Sequence, residues 1–153
     1  MRGSTAVCSA VLLMSAAVLG ACTADGGDGG AGMSGGACLA PLDLECEPAY
    51  APTFDQIYDR RIRGTCATGG GNCHGAEGNK GGLTMADADG AYNALLGVGL
   101  GHARVIAGDP ECSVLIKRLE SDDLSFVMPL GRPLSAGERC TIRQWVANGA
   151  ERE

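Results

Sequence analysis

Beyond residue 50, apolar side chains recur at three- and four-residue intervals and seldom alternate. Spacing of that kind marks helices with one buried face, whereas strict alternation marks half-buried strands. Four segments carry the helical pattern, and no two-residue hairpin turn stands between strand-like runs. The first predicted helix covers 54–63. Phe54, Ile57, Tyr58 and Ile62 share a face, Thr53 and Gln56 have capping-box spacing, and Gly64 is placed to stop it. The second covers 88–96, groups Tyr92, Leu95 and Leu96, and ends at Gly97. The third follows Asp109-Pro110, a good N-cap ahead of a good first helical residue, with Val114, Leu115, Ile116 and Leu119 on its apolar face. The fourth starts at Ser135, with Glu138 three residues on. It carries Ile142, Trp145 and Val146, and ends at Gly149, a residue suited to a left-handed cap. Gly-rich loops, notably 69–82 and 97–101, join these pieces. The expected fold is a small all-α domain of about four short helices over residues 53–153, enough chain for one compact core.

The N-terminal third has a different pattern. Arg2 gives a basic start, and Ala6 to Leu19 is apolar or small throughout, too short to span a bilayer but right for a signal-peptide core. The run ends Leu19-Gly20-Ala21-Cys22, which resembles the bacterial lipobox, in which the Cys is diacylated and becomes the new N-terminus. Residues 1–22 are therefore expected to be a lipoprotein signal peptide and lipobox. Acyl chains on Cys22 would supply membrane affinity by burying methylene groups. Thr23 follows it, not Asp, and by resemblance to lipoprotein sorting this points to an outer membrane, facing the periplasm or the cell surface. Residues 23–52 are expected to form a flexible tether. The Gly-rich stretch 23–37 cannot bury enough apolar surface to offset its ordering entropy, and 38–52, with Pro41, Pro48 and Pro52, reads as an irregular lead-in.

Composition sharpens this picture. Without Arg2 there are 11 basic against 18 acidic side chains, a net charge of −7, which argues against nucleic acid or anionic lipid headgroups as partners. One Trp, three Tyr and two Phe are few for a domain with long Gly-rich loops, so cross-links, a prosthetic group or both are expected to compensate. Of the eight cysteines, Cys8 leaves with the signal and Cys22 carries lipid, which leaves Cys38, Cys46, Cys66, Cys73, Cys112 and Cys140. Their spacings do not match paired zinc knuckles.

The candidate chemistry centres on residues 66–74. Cys73-His74 is the core of the C-x-x-C-H signature for covalent c-type haem attachment. In that chemistry a thiol adds to a haem vinyl group, and the imidazole of the next residue falls on the iron. Here six residues separate Cys66 from Cys73 instead of two, so a Gly-rich disulfide loop with a bystander His stands as the alternative. Met128-Pro129 lies 54 residues after His74, in the segment Ser125 to Leu130. Methionine is a recognised axial ligand of cytochrome c iron, and the following Pro stops a helix from carrying the sulfur away. Its other use is to fill a core gap. His102 reads as a loop histidine, with bis-His ligation as its alternative. If Cys66 and Cys73 hold haem, the other four form two disulfides in an oxidising compartment, with Cys38–Cys46 and Cys112–Cys140 the expected pairs. Three disulfides, with Cys66–Cys73 closing its own loop, is the haem-free arrangement.

In order along the chain stand Cys73-His74-Gly75, Gly81-Gly82-Leu83, Arg104-Val-Ile-Ala-Gly-Asp-Pro110, Ser113-Val-Leu-Ile-Lys-Arg-Leu119, Met128-Pro129 and Trp145-Val-Ala-Asn-Gly-Ala150. Together they resemble, over about residues 54–151, the cytochrome c-like domain first noted in planctomycete proteins and found in many bacterial lipoproteins, a relative of class I cytochromes c. The resemblance implies one haem c, thioethers at Cys66 and Cys73, His74 as proximal ligand and Met128 as distal ligand. Two features depart from the pattern. The cysteines are widely spaced, and Gly81-Gly82-Leu83 stands where class I cytochromes carry a Pro whose carbonyl receives the proximal imidazole N–H. The implied function is a membrane-anchored c-type cytochrome-like protein that passes single electrons to a redox partner protein. It would be a carrier and not an enzyme, since no nucleophile–base pair or paired carboxylates are set for hydrolysis. The alternative is a haem-free, disulfide-stapled lipoprotein that uses the same fold as a binding or structural module.

Overall fold

The computed structural model describes residues 36–68 and 73–153, which fall in one compact unit. The signal peptide, Cys22 and the tether up to residue 35 lie outside the described residues. So do residues 69–72, between Cys66 and Cys73. Among the described residues there are four helices and no strand: α1 (Phe54–Ile57), which continues as a π-helical segment (Tyr58–Cys66), α2 (Ala88–Leu96), α3 (Val114–Glu120) and α4 (Ala136–Ala147). A single 3₁₀ turn, Lys80–Gly82, precedes α2. The fold is all-α, as expected.

The helix boundaries follow the side chains that satisfy exposed backbone groups. Thr53 Oγ1 accepts from Gln56 N at 3.4 Å, but the Gln56 side chain does not return to the cap; its Oε1 accepts from Arg60 Nε at 2.8 Å. Half of the expected capping box forms. Nor does Gly64 stop the helix. The chain widens instead, with Ala67 N donating to the carbonyl of Ile62, five residues back, at 2.8 Å. The wider turn brings Ile57, Ile62 and Cys66 to the same internal cavity. Asp87 caps α2 by accepting from Gly90 N at 2.8 Å. Gly97 ends that helix at φ +77°, where a Cβ would lie 2.7 Å from Ala103 N, so both conformation and space require glycine. The third helix starts later than Asp109-Pro110 predicts. Asp109 Oδ1 accepts from Cys112 N at 3.0 Å and closes a turn, and the buried Ser113 donates to the Asp109 carbonyl at 2.7 Å. Helical geometry begins only at Val114. Both halves of the capping box form at α4: Ser135 N donates to Glu138 Oε2 at 2.8 Å and Glu138 N to Ser135 Oγ at 3.4 Å. Gly149 beyond its end has φ +102°.

The few aromatic residues are concentrated. Phe54 packs 5.6 Å from Trp145 and edge-on to Tyr92 at 5.0 Å, centroid to centroid. Leu95, Val105, Ile116, Leu119 and Val146 close the core around them. Trp145 Nε1 meets the Glu151 carbonyl at 2.7 Å, so the buried indole N–H is satisfied.

The disulfides correct two expectations. The four candidate cysteines are all bonded, but crosswise, as Cys38–Cys112 and Cys46–Cys140, and not as Cys38–Cys46 and Cys112–Cys140. The cause lies in how the lead-in docks. Leu39 N donates to the Glu111 carbonyl at 3.0 Å and Leu42 N to Glu111 Oε1 at 3.1 Å, which sets Cys38 beside Cys112. Gln144 Nε2 reaches the carbonyls of Leu44 and Cys46 at 2.9 and 3.1 Å, while Ala49 N bonds to Gly137 and Thr141 on α4, which sets Cys46 beside Cys140. Residues 38–52 are consequently no tether. They are irregular chain fastened to the domain, and the described fold begins ahead of Thr53.

Candidate functional site

The π-helical segment delivers Cys66, and the chain returns to it at His74, whose N–H donates to the Cys66 carbonyl at 3.0 Å. Gly75 is buried, and a Cβ on it would run into the carbonyl oxygen of Ala67. Glycine directly after the His is therefore what lets the two ends of this loop meet. The following residues fold back on themselves. Lys80 N donates to the Cys73 carbonyl at 3.4 Å, Thr84 Oγ1 to Asn79 Oδ1 at 3.2 Å, and Met85 N to the His74 carbonyl at 2.6 Å. His74 is thus held at both of its backbone groups.

Its ring is held as well. Nδ1 lies 3.3 Å from the Leu83 carbonyl oxygen. A carbonyl can only accept, so Nδ1 carries a proton, and in the neutral ring Nε2 then carries the lone pair. Metal-bound histidines are ordinarily oriented in this way through their second nitrogen. This partner lies in the stretch Gly81-Gly82-Leu83, where the resemblance expects such a carbonyl, but a backbone carbonyl has no residue signature that would single out Leu83. A 3₁₀ turn presents it. Gly81 and Gly82 adopt φ +63° and +67°, Leu83 N donates to the Lys80 carbonyl at 3.2 Å, and the Leu83 carbonyl is turned toward the imidazole.

Cys66 and Cys73 are both free thiols, half-buried. Burial pushes the Cys66 pKa up to about 11, the nearby Cys73 charge adds to the rise, and Arg61 partly offsets it. The group is a neutral thiol at ordinary pH, slow in disulfide exchange. It faces a cavity of about 30 Å³, room for one water, walled by Ile57, Ile62, Met85, Leu95 and Trp145 among others. Arg61 also lines this cavity and is ion-paired with Glu138 of α4. Two buried donors near Cys66, the Tyr50 hydroxyl and Arg61 Nε, have no hydrogen-bond acceptor among the described residues. Burial raises the Tyr50 pKa, with Arg61 and Arg60 lowering it and Cys66 raising it further, so these groups sense one another electrostatically.

The structure brings Cys66, Cys73 and His74 together. Met128 sits on a different support: half-buried, joined to Pro129 by a cis peptide bond, with its N–H donating to the Arg118 carbonyl of α3 at 2.8 Å. Among the described residues no hydrogen bond links it to segment 66–85. His102 is exposed on the loop after α2, in keeping with a loop histidine. Met85, buried at 4 % exposure and lining the Cys66 cavity, is a thioether that the sequence reading passed over because nothing in its surroundings resembles Met-Pro. The donor types are those a covalently attached haem uses, two thiols outside the disulfides and an imidazole held through Nδ1, but the cavity beside Cys66 has room for one water and does not accommodate a haem in this conformation.

Residues 71–129 match the protein-family model described as Planctomycete cytochrome C. The matched span contains Cys73, His74 and Met128 and begins after Cys66. No curated protein and no solved structure matches the chain.

Proposed function

We propose, from the match of residues 71–129 to the Planctomycete cytochrome C family model, that the chain is a membrane-anchored carrier of single electrons with one covalently bound haem c. The observation that supports this reading most is the ring of His74, with Nδ1 against the Leu83 carbonyl and Nε2 free, beside two thiols left out of the disulfides. In this reading Cys66 and Cys73 would hold the haem through thioethers, and His74 and Met128 would be the ligands to its iron. The haem supplies an iron that alternates between ferric and ferrous states. The chain's own residues do the rest. The Leu83 carbonyl holds the Nδ1 proton, the apolar walls around Cys66 exclude water, and Tyr50 and Arg61 offer donors to an acceptor on the bound group. Cys22 is the lipid anchor, residues 23–37 link it to the domain, and the protein lies at an outer membrane facing the periplasm or the cell surface. Its partner is a redox protein, for which an acidic surface favours a basic face.

The test is an absorption spectrum and an intact mass of the full chain matured with haem-export machinery. A Soret band with the mass gain of one haem supports the reading, and a colourless product overturns it. A Cys66→Ala chain that still takes up haem assigns attachment to Cys73 alone. Met128→Ala is expected to lower the midpoint potential and weaken the sixth ligand, and an unchanged spectrum removes Met128 from the site.

One observation favours a second reading. Phe54, Trp145 and their neighbours close a core without a prosthetic group, and the cavity at Cys66 has room for a single water. A haem-free, disulfide-stapled lipoprotein acting as a binding or structural module would have that packing. Its signature is a colourless exported chain that keeps both disulfides, with Cys66 and Cys73 either free or joined to each other.

A further inference from the structure

Arg104 is 7 % exposed, yet no carboxylate pairs with it among the described residues. Buried cations ordinarily sit against an anion. This one is committed to the main chain: Nη2 donates to the Gly81 carbonyl at 2.8 Å and Nη1 to the His102 carbonyl at 3.2 Å. Gly81 lies in the turn that ends at Leu83, the residue whose carbonyl meets His74. A Cβ at Gly82 would lie 3.6 Å from Arg104 Nη2, so the guanidinium rests directly on that turn. The Arg104 backbone is itself fixed, its N–H donating to the Leu95 carbonyl at 2.8 Å and its carbonyl accepting from Leu115 N at 2.9 Å. A guanidinium anchored to the end of α2 and the first turn of α3 thus grips the loop that holds the His74 proton.

We propose that Arg104 is a positioning residue. Its hydrogen bond to the Gly81 carbonyl fixes the Leu83 carbonyl, and through it keeps the His74 proton on Nδ1 and Nε2 free for a metal. The inference rests on the reading of His74 as an iron ligand, but Arg104 acts on the chain before any haem is present. A purely structural arginine would leave the imidazole tautomer alone when replaced.

The test is nitrogen-labelled imidazole NMR of the full, haem-free chain with both disulfides intact, above the pH at which histidine is charged. Exposed His102 serves as internal reference. In the native chain His74 is expected to be mainly the Nδ1–H tautomer. Arg104→Gln is expected to reduce the ratio of Nδ1–H to Nε2–H at His74 roughly fivefold, the effect of losing one ordinary hydrogen bond, without moving His102. Arg104→Lys keeps a cation on a long stem but only one compact donor head, and its ratio should fall between the two. A folded Arg104→Gln chain whose ratio stays within about twofold of native overturns the assignment. If the Gln variant does not fold, judged by the near-ultraviolet signal of Trp145, the Lys variant is held to the same criterion. Haem attachment is scored separately by intact mass. A colourless chain with an Arg104-dependent tautomer overturns the electron-carrier reading and not this one, and a haem-loaded native chain with an Arg104-independent tautomer does the reverse.

Discussion

Two stretches of irregular chain in this domain are secured in different ways. The lead-in 38–52 is crossed by two disulfides, bonded to Glu111 and α4, and seated against the helix with the complete capping box. The stretch 66–85 has no disulfide. Main-chain hydrogen bonds, a glycine that only just fits and one buried guanidinium hold it. The difference separates stability from chemistry. Cross-links across separations of 74 and 94 residues restrict the unfolded chain strongly, so they can be placed away from the site and still support it. The two thiols beside His74 are then left unspent.

The largest effect should come from the stapled side. Cys46→Ala with Cys140→Ala removes a link spanning 94 residues and hollows a position that is 1 % exposed, and is expected to cost about 4 kcal/mol in denaturant unfolding. The same variant should leave Cys66 a slow thiol if the two regions are as separate as their bonding indicates. Next comes alkaline pH. An unfolded Cys66 loses its proton near 9.0 and the folded one near about 11, so the unfolded state binds fewer protons between these values and stability falls as pH rises through them. The expected loss is on the order of 2 kcal/mol, and Cys66→Ala should abolish that slope in stability against pH. At neutral pH the folded Cys66 should alkylate on the order of 100-fold more slowly than an unperturbed thiol. Gly75→Ala should break the loop side, because the new methyl meets the Ala67 carbonyl; about 2 kcal/mol and a faster-reacting Cys66 are expected in the same two assays. The smallest effect belongs to the ion pair between the segment that leads into Cys66 and the helix on which the lead-in is seated. Glu138→Gln frees Arg61 of the π-helical segment and weakens the α4 cap, for about 1 kcal/mol by thermal unfolding.

What could be read from sequence was local. Ser135 with Glu138, the glycine stop at Gly97 and the apolar faces of α2 and α4 are written within a few residues, and they stand as expected. Where two local signals compete, tertiary contacts decide between them. Asp109-Pro110 looks like a helix start, but Asp109 spends its carboxylate on Cys112 N and Ser113 takes the cap position. Gly64 looks like a stop, but a wider turn passes through it, because Ile62 and Cys66 both gain the cavity that way. The disulfide pairing was not legible, since it depends on Glu111 and Gln144 gripping a lead-in about 70 to 100 residues away in sequence. At the site, Cys73 and His74 announced themselves by residue type. Leu83 did not, because it acts through its carbonyl, and the role of Arg104 depends on its reach to Gly81, 23 residues away in sequence.

The Cys38–Cys112 bond also decides where mechanical load enters the molecule. Fifteen residues lie between Cys22, the proposed lipid anchor, and Cys38, a contour of at most about 50 Å. Traction on it passes through sulfur into the turn ahead of α3, and does not have to travel through α1 or the His74 loop. On the proposal that Cys22 is the anchor, a pull on the N-terminal chain would load the turn ahead of α3 before it reached the loop that carries the imidazole.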